Sequence, residues 1–321
     1  MARPPCAHNL CLNTPMTQAT SWKKSPWTRA AVTLAGVLAL AWLLRGVDTQ
    51  AMRTALVEVP AWVWLLSVAG MVCSHVLRGG RMRAEWRERL HMDWRSAWAL
   101  VVRHSAWVVL APMRGGEGVY LWALHQHGGI AVKDAGISLL KLRLQDMAVL
   151  AVFALALWLP VDWPLRLAAA ALALALAVWG LPMVWQWLAH RLSTRGDAPA
   201  TTLQLTRPSF ESWAYALSNW AVKLVAIALP LWHLAGASFV AAWSGALGGE
   251  WAAAMPLQPP AGLGPYEAGV LVGVQWMSEL PWAEVAAAAL TVHILMLLVT
   301  VTSATVARAL GWSTRDLRRP H

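Results

Sequence analysis

Charged side chains embedded in apolar sequence are the residues of this chain whose types and positions suit chemistry. An unpaired charge in such a setting is costly, so it is retained for a function or for pairing. Seven of them are candidates for contact with a substrate, namely Arg103, Arg114, Glu117, Lys141, Arg143, Asp146 and Glu267. The four cations in this set would form a positive cavity, and guanidinium groups suit a phosphate headgroup.

An alternative interpretation of these charges is purely structural. Arg114 or Arg143 would pair with a nearby acid, and the acids in question are Glu117 and Asp146. Such pairs would only neutralise buried charge. The two interpretations are compatible, and both remain open from the sequence. Three further acids, Glu250, Glu279 and Glu284, are interpreted as side chains that reach the outer membrane surface.

Two apolar stretches that carry these charges are interrupted by glycine and proline. The first, 96–123, has its predicted structural breaks at Pro112, Gly115 and Gly116. The second, 236–280, contains Gly248-Gly249-Glu250 and then the breaks Pro259, Pro260, Gly262 and Gly264. Glycine and proline at this density interrupt a helix. Exposed amides at glycine-rich turns and helix N-termini would add affinity for an anion.

The composition places these elements in a membrane. Of 321 residues, 58% are hydrophobic and only 13% are charged, whereas a soluble domain has about 25% charged residues. A spanning helix needs about 20 apolar residues. We therefore predict an all-α polytopic integral membrane protein with six spanning helices, near 28–46, 60–77, 141–160, 165–189, 209–234 and 283–307.

The distribution of positive charge predicts the topology. Twenty of the 26 Lys and Arg residues lie in five regions, namely 1–29, 78–95, 124–143, 190–208 and 308–321. Such regions favour the cytoplasmic side, so both termini are expected there. The hairpin 96–123 must then enter and leave from the cytoplasm, and 236–280 from the outside.

An inverted repeat follows, with re-entrant or broken hairpins in matching places of the units 28–160 and 165–307. This is the pattern of secondary transporters, which bind substrate near the midplane. The alternative is two ordinary pairs of short helices with loops. Residues 1–26 are predicted to be a disordered cytoplasmic leader, 27–310 a single transmembrane domain and 311–321 a cytoplasmic tail.

Other binding functions are less consistent with the sequence. His125 and His127 have no accompanying zinc motif, so neither a metal nor another cofactor is expected. His293 is interpreted as a buried imidazole with a satisfied partner. The basic stretch 83–95 is expected to lie on the anionic inner leaflet. Nucleic-acid binding is disfavoured because the positive charge flanks spanning helices.

Three sequence boxes in order resemble a known family. They are Pro112-x-Arg114-Gly115-Gly116-Glu117, Leu142-Arg143-Leu144-Gln145-Asp146 and Pro259-Pro260-Ala261-Gly262-Leu263-Gly264-x-x-Glu267. Over roughly residues 28–310 they resemble the flippase-like integral membrane family, also called the lysylphosphatidylglycerol synthase transmembrane region family. The chain departs from its boxes at Tyr120, often Arg in the family, at Leu142, where the family has Glu, and at Ala261, where it has Gly.

The resemblance implies a lipid translocase, or a protein that acts on a lipid or polyprenyl carrier, in the bacterial inner membrane. It does not imply lysyl transfer, which belongs to a separate soluble domain in the bifunctional relatives. Only 11 residues follow Leu310, so we expect no such domain and no enzymatic activity. The expected partners are membrane lipids and proteins of envelope biogenesis.

Three functional hypotheses remain open from the sequence. In the first, an anionic headgroup contacts Arg114, Lys141 and Arg143 during transport, while Glu117 and Glu267 are polar anchors or proton carriers. In the second, a membrane-embedded enzyme uses Glu117, Asp146 or Glu267 as a general base on a lipid carrier. In the third, the chain is a non-catalytic subunit of an envelope-lipid or polysaccharide assembly.

Overall fold

The computed structural model describes residues 56–111, 115–193, 209–255 and 258–314, together with residues 34, 38, 50 and 317. For 185–193 only the backbone is described. The predicted leader and nearly all of the first predicted span, 28–46, lie outside these residues. The α-helices in the described ranges are α1 (Ala61–Trp86), α2 (Trp94–Leu110), α3 (Glu117–Gly128), α4 (Val132–Trp158), α5 (Trp163–Ser193), α6 (Phe210–Leu234), α7 (Phe239–Ala254), α8 (Pro265–Gln275) and α9 (Trp282–Ala309), with a short 3-10 helix at Pro260–Gly262.

Within the described residues, four helices are long and apolar enough to cross a membrane, which indicates a membrane protein. They are Ala61–Trp86, Trp163–Val184, Phe210–Leu234 and Trp282–Ala309. These helices correspond to four of the six predicted spans. The predicted span 141–160 falls within α4, which has 27 residues but carries Lys141, Arg143 and Asp146 in its middle. Because of these three charged residues, α4 is not among the four apolar helices.

Helix α1 extends well beyond its predicted end at residue 77. It continues to Trp86, so Arg78, Arg81 and Glu85 lie on the helix itself. The predicted helix ended too early because these charged side chains were interpreted as groups at the membrane surface. Arg81 and Glu85 are instead buried against other helices, where each has a partner of opposite charge. Within the stretch 83–95, the Glu85 side chain therefore contacts protein rather than a lipid surface.

Two helical hairpins have arms that are too short to cross a bilayer. Helices α2 and α3 have 17 and 12 residues, and α7 and α8 have 16 and 11. At about 1.5 Å per residue the arms are about 17 to 26 Å long, against about 30 Å of hydrocarbon. The first hairpin breaks between residues 110 and 117, and the second between 254 and 265.

The glycine pair Gly248-Gly249 does not break a helix, which corrects the prediction for this part of the second hairpin. Both residues lie inside α7. A Cβ atom at Gly248 would collide with the backbone of Gly269 in α8, and one at Gly273 would collide with the backbone of Ser244. Small residues allow two helix backbones to approach closely. The glycines therefore serve the contact between the arms of this hairpin.

Helices α1 and α6 pack against each other in opposite directions. The Ser67 hydroxyl donates to the carbonyl of Ala226 at 2.6 Å, and the Ser74 hydroxyl donates to Asn219 Oδ1 at 2.7 Å. The partner in α6 thus moves towards its N-terminus as α1 proceeds, which defines an antiparallel pair.

The largest apolar core lies among helices α6 to α9, and a second cluster joins α2, α3 and the first half of α4. Helix α5 lies at the periphery. One face carries exposed large apolar side chains, among them Leu172, Leu176 and Trp179, while Leu174 and Val178 pack against the core. An apolar helix face that the protein leaves uncovered is suited to contact with lipid.

Candidate functional site

A cavity of about 480 Å³ lies where the two broken hairpins meet. It is bordered by helices α1, α2, α4, α6, α7 and α9, by the second break and by the first residues of α3 and α8. This volume is in the range of small-molecule sites, about 300–1,000 Å³. Its titratable lining residues are His75, Arg78, His104, Glu117, Arg143, Asp146, Lys223, Glu250, Tyr266 and His293.

The first hairpin brings Glu117 to the cavity at the start of α3. A Cβ atom at Gly116 would collide with the backbone of Trp107 and Val108, so the chain can turn closely past α2 only with glycine there. Glu117 is the first residue of α3, where the helix dipole favours a negative charge. Its carboxylate lies 3.1 Å from Arg143 Nη2 of α4.

Asp146 of α4 ties three helices together beside the cavity. Its Oδ1 atom accepts hydrogen bonds from Arg81 Nη1 at 2.6 Å and from Trp220 Nε1 at 2.9 Å. Arg81 also donates to the Leu142 carbonyl and to Gln145 Oε1, both at 2.8 Å. Such charge-assisted bonds are among the strongest in proteins. Arg81 therefore supplies the counter-charge of Asp146, and Trp220 supplies a further hydrogen bond.

The second hairpin positions Glu267 in the first turn of α8. The chain turns through Ala261, Gly262 and Gly264, whose φ angles of 59°, 71° and 92° lie in the left-handed region. Pro265 then opens α8, a position where its fixed φ suits a helix start. Glu267 Oε2 accepts from the Gly264 amide at 2.7 Å, as a capping glutamate does at the third helical position.

The buried Glu267 does not line the cavity but contacts His293 of α9, which does. Its Oε1 atom lies 2.7 Å from His293 Nδ1, and the Glu267 side chain has no solvent exposure. The ring of Tyr266 packs on the imidazole, with centroids 4.2 Å apart. His293 and Tyr266 line the cavity, whereas Glu267 lies behind them. His293 is thus buried with a satisfied partner, as the sequence predicted.

Lys223 of α6 and Glu250 of α7 form a third ion pair at the cavity, with Nζ and Oε2 2.7 Å apart. The Glu250 side chain is only 4% exposed. Our interpretation of Glu250 as a side chain that reaches the outer surface is therefore wrong. The reason is Lys223, which lies opposite and supplies a counter-charge inside the protein.

The predicted substrate-contacting residues are only partly brought together. Glu117, Arg143 and Asp146 line the cavity, and Glu267 is one contact away. Of the predicted breaks, Pro259 and Gly262 also line it, while Pro260 begins the 3-10 helix and Gly115 precedes the close turn at Gly116. Arg114 and Pro112 lie outside the described residues.

Arg103 and Lys141 do not contribute to the positive cavity that was expected. Arg103 donates to the Trp312 carbonyl at 3.3 Å, and Lys141 Nζ lies 2.7 Å from Glu85 in a buried pair. Lys141 and Arg143 are two residues apart on one helix and so point in different directions. The cavity consequently has mixed charge, and the structural interpretation of Arg143 with Glu117 agrees with the observed pair.

Two cavity residues of α1, His75 and Arg78, were missed by the sequence analysis. They are three residues apart, so they share a helix face. That spacing would have revealed them if the span had been continued past residue 77. The histidines of α3 have other contacts: His125 Nδ1 lies 2.9 Å from the Ile130 carbonyl, and His127 Nδ1 lies 2.9 Å from Thr314 Oγ1. No group of three potential metal ligands occurs in the described part of the chain.

No protein-family model matches this chain, and no curated protein matches it. Fold and site together define the class: a helical membrane protein whose interior contains a cavity lined by charged and apolar side chains.

Proposed function

We propose that this chain is a flippase-like membrane protein of the bacterial inner membrane. It binds the anionic headgroup of a lipid or of a polyprenyl-linked lipid in the cavity and moves it across the bilayer. The observation that carries the proposal is the charged cavity at the junction of two broken hairpins. Transporters built from inverted repeats bind their substrates at such a junction.

Matching contacts of a carboxylate in the two halves support the inverted repeat. In the first half, Glu117 lies in the first turn of α3 and contacts Arg143, the twelfth residue of α4. In the second half, Glu267 lies in the first turn of α8 and contacts His293, the twelfth residue of α9. Each returning arm therefore places a carboxylate against the same position of the helix that follows it.

Reciprocal packing also supports the repeat. Helix α2 packs against α9, and its counterpart α7 packs against α4. Likewise α4 packs against α6, and its counterpart α9 packs against α1. Helices α1 and α6, which hold equivalent places in the two halves, run antiparallel, as inversion requires.

The proposed topology has six spans, with α4 and residues 28–46 added to the four apolar helices. Helix α4 is about 40 Å long, which is enough to cross. Its three charges face protein partners, so they do not oppose insertion as unpaired charges would. The proposed orientation keeps both termini cytoplasmic, because the basic regions flank the cytoplasmic ends of the spans.

The lining of the cavity suits a molecule with a charged and an apolar part. Besides its charged groups, it includes Met71, Val108, Met147, Met296 and Leu297. Methionine side chains adapt to irregular apolar surfaces. A lipid headgroup with the adjoining part of its chains has this combination of chemistry.

Membership of the flippase-like family is part of the proposal, and one backbone angle supports it. Ala261 stands where the family box has glycine, and its φ of 59° is in the left-handed region that favours glycine. The backbone at this position thus has the conformation for which the family residue is suited.

Transport of labelled lipid by the purified protein in vesicles tests the function. We expect wild-type protein to move fluorescent phosphatidylglycerol between leaflets faster than protein-free vesicles do. Arg143→Gln should slow this transport at least tenfold, since it removes a cavity charge. Arg87→Gln is the matched control, because Arg87 is an exposed arginine paired with Glu211 away from the cavity. Equal rates for wild type and protein-free vesicles would overturn the proposal.

Cysteine labelling tests the inverted repeat independently of transport. In a background without Cys6, Cys11 and Cys73, single cysteines are introduced at the exposed positions Gln126 and Glu279. A membrane-impermeant maleimide should label position 126 only from the cytoplasmic side and position 279 only from the outside. Labelling of both positions from one side would contradict the inversion.

A further inference from the structure

Arg78 is the cation of the cavity that forms no ion pair with a described residue. Three ion pairs connect the other charges: Arg143 with Glu117, Lys223 with Glu250, and Arg81 with Asp146. Arg78 lines the same cavity, and within the described residues it forms no ion pair. Its Nη1 atom donates to the Ser105 hydroxyl at 2.8 Å. Ser105 is neutral, so the Arg78 guanidinium has no carboxylate in direct contact among the described residues.

Ser105 orients the guanidinium group without using most of its donors. The hydroxyl hydrogen of Ser105 is directed to the Val101 carbonyl at 2.7 Å, so the oxygen can accept from Arg78. A guanidinium group has five N–H donors in a planar fork. Among described groups, Ser105 is the one acceptor that Arg78 contacts. The remaining donors are thus available to a bound molecule.

His75 provides a second observation that points to a ligand. It lies one turn before Arg78 on the same face of α1, lines the cavity and is 7% exposed. Neither ring nitrogen has a hydrogen-bond partner among the described residues. Buried polar groups without a partner are costly and rare. A neutral imidazole can donate one hydrogen bond to an oxygen of a bound anion.

The neighbourhood of Arg78 is enriched in cations. Arg81 and Arg143 border a small adjoining pocket together with Arg78, and Asp146 is the acid among its lining residues. Asn219 lines the main cavity, and its carbonyl oxygen accepts from Ser74, which leaves its amide NH₂ group as a further donor. Arg78, His75 and Asn219 thus supply hydrogen-bond donors on this side of the cavity, as an anion site requires.

We propose that Arg78 and His75 bind the phosphate of a phosphodiester monoanion. The Arg78 guanidinium, which forms no ion pair among the described residues, supplies a positive charge to the single negative charge of the diester, and its fork binds two phosphate oxygens side by side. His75 donates to a third oxygen. This inference deepens the proposed function and rests on it for the source of the phosphate, a lipid headgroup, whereas a soluble phosphodiester offers the same chemistry.

Binding measurements on the detergent-purified full chain test the assignment. The probes are phosphatidylglycerol, the soluble diester glycerophosphoglycerol, and diacylglycerol, which has no phosphate. We expect wild-type protein to prefer both phosphodiesters to diacylglycerol. Arg78→Gln should weaken phosphodiester binding about tenfold or more, and His75→Phe about fivefold, in line with the loss of a charged and a neutral hydrogen bond. Arg87→Gln, with the same change in charge, should bind within twofold of wild type.

A stability measurement separates a binding role from a structural one. Arg78 forms no ion pair with a described carboxylate, so Arg78→Gln leaves no buried carboxylate without its counter-charge. The variant should therefore unfold in detergent at the wild-type temperature or above it. Arg78→Lys retains the charge but lacks the fork, so it should bind phosphodiester more weakly than wild type and more tightly than Arg78→Gln. A lower unfolding temperature for Arg78→Gln together with unchanged binding by Arg78→Lys would overturn the assignment.

The outcomes distinguish this site from the proposed function. If phosphatidylglycerol binds wild type and Arg78→Gln equally, the phosphate site is overturned while lipid transport stands. If both phosphodiesters bind through Arg78 but wild-type protein moves no lipid in vesicles, the site is supported and the transport function fails. Binding of glycerophosphoglycerol as tight as that of phosphatidylglycerol would support the site and identify a soluble diester as its ligand.

Discussion

The ion pair of Lys223 and Glu250 allows the energetics of the cavity to be tested quantitatively. Nζ and Oε2 are 2.7 Å apart, and the pair joins α6 to α7, the first arm of the second hairpin. Glu250→Gln keeps the shape of the side chain but removes its charge. The ammonium group of Lys223 is then left without a carboxylate in a largely buried position.

The expected magnitude follows from the exposure of the two partners. Removing one partner of a fully buried pair costs about 3–5 kcal/mol of unfolding free energy. Lys223 is 25% exposed and lies 5.1 Å from the ring centroid of Trp220, a cation–π contact that the substitution leaves intact. Partial hydration and this contact both reduce the cost. We therefore expect Glu250→Gln to lower the unfolding free energy by about 2 kcal/mol.

A double-mutant cycle measures the pair itself. Adding Lys223→Met to Glu250→Gln removes the stranded charge, so the double variant should regain most of the lost stability. The assay is reversible unfolding in mixed micelles with an increasing fraction of SDS. The control cycle uses Arg87 and Glu211, whose side chains are 61% and 46% exposed. That pair should have a coupling energy of about 0–1 kcal/mol.

The cycle has a clear refuting result. If the two single substitutions at Lys223 and Glu250 add without coupling, the buried ion pair does not stabilise the junction of α6 and α7. The same conclusion follows if the exposed control pair couples as strongly as the buried one, since burial would then have no influence on the energy.

Three other predictions concern the backbone and the second hairpin. Gly248→Ala should lower the unfolding free energy by about 3 kcal/mol or more in a thermal unfolding assay, because the new Cβ meets the backbone of α8. The control Gly180→Ala in α5, where the space is open, should be neutral or stabilising in the same assay. Equal losses of stability for the two variants would contradict the close packing of α7 and α8. Ala261→Gly should raise the unfolding free energy by about 0.5–1 kcal/mol by relieving a left-handed alanine, and a loss measured in SDS titration would refute this. Glu267→Ala should lower the unfolding free energy by about 3 kcal/mol, because it removes the cap of α8 and the partner of His293. Glu267→Gln keeps an acceptor for the cap, so it should lower the unfolding free energy measurably less. Similar losses for the two variants would show that the cap does not stabilise the protein.

The helical segments were largely predictable from the sequence, since the requirement for about 20 apolar residues is a local property. Four predicted spans correspond to helices of sufficient length and apolarity. Both hairpin breaks also fall near predicted glycine and proline clusters, because these residues change the backbone locally. The errors concern features that depend on neighbours. Gly248 and Gly249 were predicted to break a helix, but they serve its contact with α8.

The charged site was less predictable, because the face on which a side chain lies depends on how its helix is packed. Lys141 and Arg143 belong to one short segment, yet Arg143 lines the cavity and Lys141 is paired with Glu85. The sequence could show that both charges lie in an apolar context. It could not show that they point to different partners, since that requires the positions of α1 and α3.

The sequence alone determined that this chain is helical, that it belongs in a membrane and where its two hairpins are interrupted, because these properties follow from composition along short stretches. Only the tertiary structure decided which charges compensate each other. Asp146 is 65 residues from Arg81, and Glu250 is 27 residues from Lys223. Ion pairs form between helices that are neighbours in space, so sequence spacing does not reveal them. For the same reason, the sequence could not show that Arg78, unlike Arg81, Arg143 and Lys223, forms no ion pair with a described residue.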